Sequence, residues 1–318
     1  MILRFSRART MLAAPMKTRN LALLLPVLPA AIAIACGGGA ENLPPPPPPP
    51  APPPVAATAP PAAPTPEPAP AQAPAPPPAP PVQLSEGTPS PDPTPPLPTV
   101  AIIAPAKGKV IAAEKASDLE VKLDVKNWKT AQGDSHVHLI LDDRPYKPIY
   151  DPKTPVKLSE LSGGEPLAEG QHILVAFPSR ANHESVKTKG ALTVSEFWVG
   201  KAPGTRTQDP NKPLLIYSRP KGEYKGDMAN RVLIDFQLAN TTLAPDKNKV
   251  HIAVTGPGIE GERAVDVTKF GTPYYLENLQ DGSYSVKLEL RGPDGAPLPG
   301  PWNSTTHPFT IAHEAASP

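Results

Sequence analysis

His136 and His138 stand two apart in the run His136-Val137-His138-Leu139-Ile140-Leu141. Side chains two apart on a β-strand leave the same face, so a strand here presents two imidazoles side by side. His172 and His183 lie downstream in the same hundred residues. Neutral imidazoles in a cluster are ligands for copper or zinc, which makes His136, His138 and His183 the candidate metal residues. Two observations favour a structural role instead. His138 has a counterpart in His251, and His172 aligns with Tyr284, when the two halves of the chain are superimposed. No cysteine and no acidic residue at metal spacing completes the set.

Other chemistry is sparse. A hydrolase needs a nucleophile held against a base, yet no Gly-x-Ser-x-Gly, His-Glu-x-x-His or phosphate-cradling glycine loop occurs. The pair Asp142-Asp143 precedes Arg144-Pro145 and has turn composition rather than that of a catalytic carboxylate dyad. Gly163-Gly164 is loop material. Trp128, Trp198 and Trp302 are core anchors or a stacking platform for a sugar, and alternation within Phe197-Trp198-Val199 sets Trp198 on the face opposite its neighbours. The chain is therefore read as non-enzymatic.

The elements that must position these residues are strands. Residues 99–200 and 213–318 each carry short apolar or alternating runs separated by Gly, Pro, Asn and Asp, with no sustained helical period. In the first half the runs are 100–104, 119–125, 136–141, 171–176 and 193–199. In the second they are 214–217, 232–238, 250–254, 284–290 and 307–311. The halves superimpose at an offset of about 113, Val121-x-Leu123-x-Val125-x-Asn127 on Ile234-x-Phe236-x-Leu238-x-Asn240, which points to a tandem duplication. The fold class expected is all-β, two tandem sandwiches joined by a short hinge at 201–212.

The sequence Asp281-Gly282-x-Tyr284-x-Val286 resembles the late-strand corner of immunoglobulin-like and fibronectin-type domains, where an aromatic near the strand start closes the sandwich. The resemblance implies that role for Tyr284, and for His172 in its place in the first repeat. The first repeat also resembles an uncharacterised family of secreted domains reading His-x-His-Leu-x-x-Asp, then Gly-x-His-x-Leu, then a further histidine. Here these are His136 to Asp142, Gly170 to Leu174, and His183. That resemblance implies a fold and no established activity.

The N-terminal third is of another kind. From Met16, a basic stretch with Lys17 and Arg19 precedes apolar residues 21–34, roughly 14 residues broken by Pro26 and Pro29. That is too short for the ~20 residues of a membrane-spanning helix, and it has the layout of a secretory signal. Residues 1–35 are read as a signal peptide, for which Met16 is a better start than Met1. Ala33-Ile34-Ala35-Cys36 followed by glycines resembles the lipobox of bacterial lipoproteins, although Ala33 replaces the usual leucine. The resemblance implies a covalent lipid on Cys36 and, with Gly37 rather than Asp after it, outer-membrane sorting toward the periplasm or the cell surface. An ordinary signal peptide with an incidental cysteine is the alternative.

From Pro44 to Pro98, 28 of 55 residues are proline. Such a segment favours polyproline II, rises ~3.1 Å per residue and would extend about 170 Å. Residues 36–98 are accordingly expected to be a disordered, extended linker. With residues 1–35 removed, 26 Lys and Arg face 30 Asp and Glu, so the mature chain has no basic footprint for nucleic acid. Cys36 is the only cysteine, so neither sandwich has an internal disulfide. These features describe a membrane-anchored envelope protein with a binding or scaffolding role. Its partners are the bilayer through Cys36 and an unknown protein or cell-wall polysaccharide, with histidine-bound Cu or Zn as the alternative function.

Overall fold

A computed structural model describes residues 79–201 and 204–313. The signal peptide, Cys36 and the proline-rich segment up to residue 78 lie outside the described residues. The strands, in chain order, are β1 (Gln83–Glu86), β2 (Thr99–Ala104), β3 (Val110–Ile111), β4 (Glu120–Lys126), β5 (His136–Leu141), β6 (Lys147–Ile149), β7 (Val156–Lys157), β8 (Gly170–Ser179) and β9 (Thr193–Val199). The second set follows as β10 (Leu214–Arg219), β11 (Gly222–Lys225), β12 (Arg231–Ala239), β13 (Lys249–Thr255), β14 (Arg263–Val267), β15 (Tyr274–Glu277), β16 (Gly282–Arg291) and β17 (Ser304–Ala312). One-turn helices α1 (Ala113–Ala116) and α3 (Asp227–Asn230) occupy the same place in the two repeats, and α2 (Leu158–Leu161) follows β7.

Each repeat makes two sheets. In the first, β2-β4-β7 faces β3-β9-β8-β5-β6; in the second, β10-β12-β15 faces β11-β17-β16-β13-β14. With the short strands β3 and β11 left aside, the first, second and fifth strands of each repeat oppose the third, sixth and seventh, which is the immunoglobulin-type sandwich arrangement. A short strand runs parallel to the last one in each repeat, β3 with β9 and β11 with β17. Alternation builds the cores: Val137, Leu139, Leu141, Leu174, Ala176, Phe197 and Val199 fill the first, and Ile234, Phe236, Ile252, Val254, Val286, Leu288 and Phe309 the second.

Duplication is visible in backbone detail. Asn127 and Asn240 both end a strand with positive φ, 56° and 55°, a conformation asparagine tolerates better than most residues. Both side-chain amides donate to the chain two residues before the repeat's first strand, Asn127 to the carbonyl of Leu97 and Asn240 to that of Lys212. The expected corner is present as well. The Tyr284 hydroxyl accepts from the Gln280 amide at 2.9 Å and lies 3.0 Å from the Gln280 and Pro257 carbonyls. His172 does the same work in the first repeat, its Nε2 donating to the carbonyl of Ala168, again four residues upstream, at 2.8 Å.

Two features depart from the sequence reading. The linker, expected to be disordered through residue 98, ends earlier: β1 pairs antiparallel with β15, adding a fourth strand to the second repeat's sheet. Val82 is buried in that repeat's core, Ser90 donates from its amide and hydroxyl to Glu184, and Arg180 donates to the carbonyl of Pro91. Beyond Pro80 the proline density falls, and alternating Val82 and Leu84 can pay for order by burial.

The second departure is that the sandwiches are not separate beads. Ile140, Ile173, Val175 and Phe177 on the outer face of β5 and β8 form a third apolar cluster with Leu214, Ile216 and Trp302. Across the same seam Lys187, largely covered, pairs with the buried Asp235 at 2.6 Å, and Gln237 donates to the carbonyl of Val186. The connector is pinned too: Gln171 Oε1 accepts from the amides of Thr207 and Gln208, and Arg206 pairs with Glu196.

Candidate functional site at the seam between the sandwiches

β5 is buried at all six positions. Its inward residues serve the first core, and its outward residues His136, His138 and Ile140 reach the seam. His138 is wholly buried, stacked on Tyr146 with ring centroids 3.5 Å apart and 11° between planes. Phe177 stands edge-on at 5.3 Å, and Tyr150 lies 5.1 Å from His136. His183 comes from the turn after β8, where it takes a left-handed φ of 66° while its amide donates to the carbonyl of Arg180. That turn swings its ring back over β5.

The three sequence-predicted ligands therefore converge. His138 Nε2 is 3.0 Å from His136 Nε2, and His183 Nδ1 is 3.1 Å from the same atom. One ring nitrogen from each of the three lies within 4.8 Å of the others, and no carboxylate belongs to the cluster among the described residues. His172 is not a member. It serves the corner and meets Asp142 Oδ2 at 2.9 Å through its Nδ1, which lifts its pKa against the lowering effect of burial. Asp142 sits in the turn after β5 with φ 55° and also accepts from the Ile173 amide, so the Asp142-Asp143 pair does turn work as its composition suggests.

An outer contact fixes the tautomer of His136. His136 Nδ1 lies 2.7 Å from the carbonyl of Asp134, an acceptor only, so the proton is on Nδ1 and Nε2 carries the lone pair. His138 Nδ1 meets the hydroxyl of Ser218, contributed by the second sandwich, at 3.2 Å. Orienting partners of this kind, on the nitrogen away from the site, are what metal-bound imidazoles have. An imidazole nitrogen offers one lone pair. Here two rings approach the single lone pair of His136 Nε2, and both cannot donate along it. One of them can donate while His183 Nδ1 accepts from the Tyr146 hydroxyl 3.3 Å away, and an ion between the three nitrogens is the other arrangement that uses every lone pair. Nitrogens sharing one tetrahedral ion at 2.0–2.1 Å stand about 3.3 Å apart, close to the 3.0 and 3.1 Å that separate His138 and His183 from His136 Nε2.

The electrostatics keep the rings neutral. His138 is held well below the ordinary histidine pKa by burial, then by the neighbouring His136 and His183, and His136 is lowered chiefly by burial. His183 is pushed down to about 3 by burial and then by Arg219. Arg219 and Lys221 come from the second sandwich. Arg219 Nε donates to the Tyr146 hydroxyl at 3.0 Å, and that hydroxyl lies 3.3 Å from His183 Nδ1. Lys221 Nζ sits 4.0 Å from the centroid of the Tyr146 ring and donates to the Tyr146 carbonyl. Burial raises the Tyr146 phenol to about 12 and lowers Lys221 to about 8. A cleft of about 360 Å³, lined by His183, Tyr146, Arg219, Lys221 and Met228, leads from solvent to this group.

Sequence reasoning singled out the three histidines that cluster and missed their surroundings. Tyr146, Ser218, Arg219 and Lys221 lie in no motif, and the last three come from the other repeat. Of the tryptophans, Trp198 and Trp302 are buried, the former contrary to the exposed face that alternation allowed it. The half-buried Trp128 donates its indole N–H to the carbonyl of His136 at 3.1 Å and lines a groove with Tyr150.

No protein-family model matches the chain, and no curated protein matches it. Among solved structures it is similar to the fibronectin(III)-like modules of Clostridium thermocellum CbhA, with 15% identity over 68% of this chain and 95% of that one and a TM-score of 0.24. The two tandem V-type regions of VCBP3, a v-region-containing chitin binding protein, share 10% identity over 67% of this chain and 98% of theirs, with a TM-score of 0.22. The D00-D0 domain of intimin shares 11% identity over 68% of this chain and all of its own, also at 0.22. The class, a tandem immunoglobulin-type sandwich protein, rests on the strand order described above.

Proposed function

We propose that this chain is an exported, lipid-anchored envelope protein whose paired sandwiches form a non-catalytic binding module, and that the module holds a copper or zinc ion on His136, His138 and His183. The observation that carries the reading is the meeting of two ring nitrogens, at 3.0 and 3.1 Å, on the one lone pair of His136 Nε2. Anchoring rests on Cys36 at the end of an apolar signal and on the proline-rich segment that follows it. The bilayer is then the first partner, through acylated Cys36, and the metal ion is the bound species.

The test uses the mature chain, residues 36–318, with Cys36→Ser so that no thiol competes for the ion. Elemental analysis and calorimetric titration with Cu²⁺ and Zn²⁺ should give one ion per chain, and a His136→Ala, His138→Ala variant and a separate His183→Ala variant should both lose it. Because His183 is only partly buried, its removal tests ligation without emptying the core. Stoichiometric binding that survives both variants, or no binding at all, refutes the metal reading and returns the module to protein or polysaccharide partners. Anchoring is tested separately in the native chain: Cys36→Ser should move the protein from membrane to soluble fractions.

A further inference from the structure

The geometry points to a monovalent soft ion, cuprous copper, as the species the His136, His138 and His183 cluster is built to take, with Arg219 and Lys221 acting as a filter against divalent ions. This rests on the metal reading above and adds the ion's charge and softness.

Three observations carry it. The ligand set is three neutral nitrogens with no carboxylate among the described residues, so nothing in the first shell offsets a double positive charge. Two cationic side chains instead stand one ring away. Arg219 donates to the hydroxyl of Tyr146, which itself touches His183 Nδ1, and Lys221 lies over the Tyr146 ring. Repulsion scales with the product of charges, so these groups penalise a dication twice as much as a monocation at the same position.

Coordination number is the second point. Zinc prefers four ligands in a tetrahedron. On the side of His183 Nδ1 the neighbouring oxygen is the Tyr146 phenol at 3.3 Å, already accepting from Arg219 and buried. The cuprous ion, with a filled d shell, is content with two or three ligands and needs no further anionic or water ligand. The aromatic enclosure by Tyr146, Tyr150 and Phe177 suits that low coordination.

Thirdly, Met228 is one of two large apolar side chains exposed on the described surface, at 64%, and it lines the same cleft as His183. A thioether is a soft donor that selects cuprous copper among the common ions. Its place at the mouth, on α3, gives the ion a first contact on the way in.

The experiment is a pair of competition titrations on the mature Cys36→Ser chain: Cu(I) against bicinchoninate without oxygen, and Zn(II) against a chromophoric chelator. Cu(I) is expected to bind one per chain and at least a thousandfold more tightly than Zn(II). An Arg219→Met, Lys221→Gln variant, checked for folding by circular dichroism, should gain about tenfold in Zn(II) affinity relative to Cu(I). Zn(II) affinity within tenfold of Cu(I), or a variant that shifts both ions equally, overturns the charge filter while leaving the metal site standing. Failure of both ions to bind overturns the site itself. Met228→Leu should slow Cu(I) transfer from bicinchoninate severalfold without altering Zn(II) affinity, and an unchanged transfer rate removes Met228 from the account.

Discussion

Acid should destabilise this protein well before its carboxylates titrate, and the histidine cluster sets the size of the effect. His183 has a pKa of about 3 in the folded chain against an ordinary value of about 6.5 once unfolded. Between those values the unfolded state binds a proton that the folded state refuses. Stability is therefore full above pH 6.5 and falls as pH drops through the window from 6.5 to 3. Integrating from pH 7.5 to 5.0 gives a loss of about 2 kcal/mol for this one residue. His138, held well below its ordinary value by complete burial, adds a second loss of the same sign. His172 titrates the other way, and its window lies above 6.5 because its pKa is raised. Unfolded Asp and Glu, at about 3.9 and 4.3, contribute little above pH 5. Urea unfolding at half-unit steps from pH 7.5 to 5.0 isolates the effect. His183→Asn, which cannot protonate, should flatten the profile by about 2 kcal/mol at pH 5.0 relative to pH 7.5. On a domain pair of this size that corresponds to roughly 4–8 °C in Tm. A profile identical in slope to the unsubstituted protein would refute the claim that His183 is kept neutral by its surroundings.

Breaking the seam pair by Asp235→Ala leaves Lys187 charged and largely covered, and should cost about 3–5 kcal/mol by urea denaturation. The double replacement Lys187→Met, Asp235→Leu should recover most of it. Replacing His172 by Phe removes the corner bond to Ala168 and the pairing with Asp142. Because the folded pKa of His172 is raised, that loss should be larger at pH 6 than at pH 9, read from thermal melts at each pH. Val82→Ala should cost about 1–2 kcal/mol and speed proteolysis near residue 87, since Val82 is buried in the second core and β1 is only four residues long.

The ten long strands were legible because each combines β-branched or aromatic residues with flanking turn residues, and the duplication was legible because Asn127 and Asn240 recur with the same function. The short strands β3, β6, β7, β11, β14 and β15 carry two to five residues each, too few to show a period. The seam left a trace that alternation alone does not interpret. His136 to Leu141 and His172 to Phe177 carry no charged residue, which is the mark of strands covered on both faces, and Leu214 to Tyr217 of β10 has the same character, whereas β12 places Asp235 and Gln237 toward the seam. The clustered histidines could be named from spacing on β5 plus one downstream histidine. Their neighbours could not, because Ser218, Arg219 and Lys221 approach only when the sandwiches pack.

The strand β1 also decides how the molecule bears load. In chain order the first sandwich follows the proline-rich segment, but the peptide enters the folded body along the edge of the second. A pull on residue 79 is therefore met first by the four-residue ladder to β15 and by Val82 in the second core, before it reaches the contact of Ser90 with Glu184 of the first sandwich. The first sandwich and the histidines on its outer face stay slack behind that clamp until it gives way.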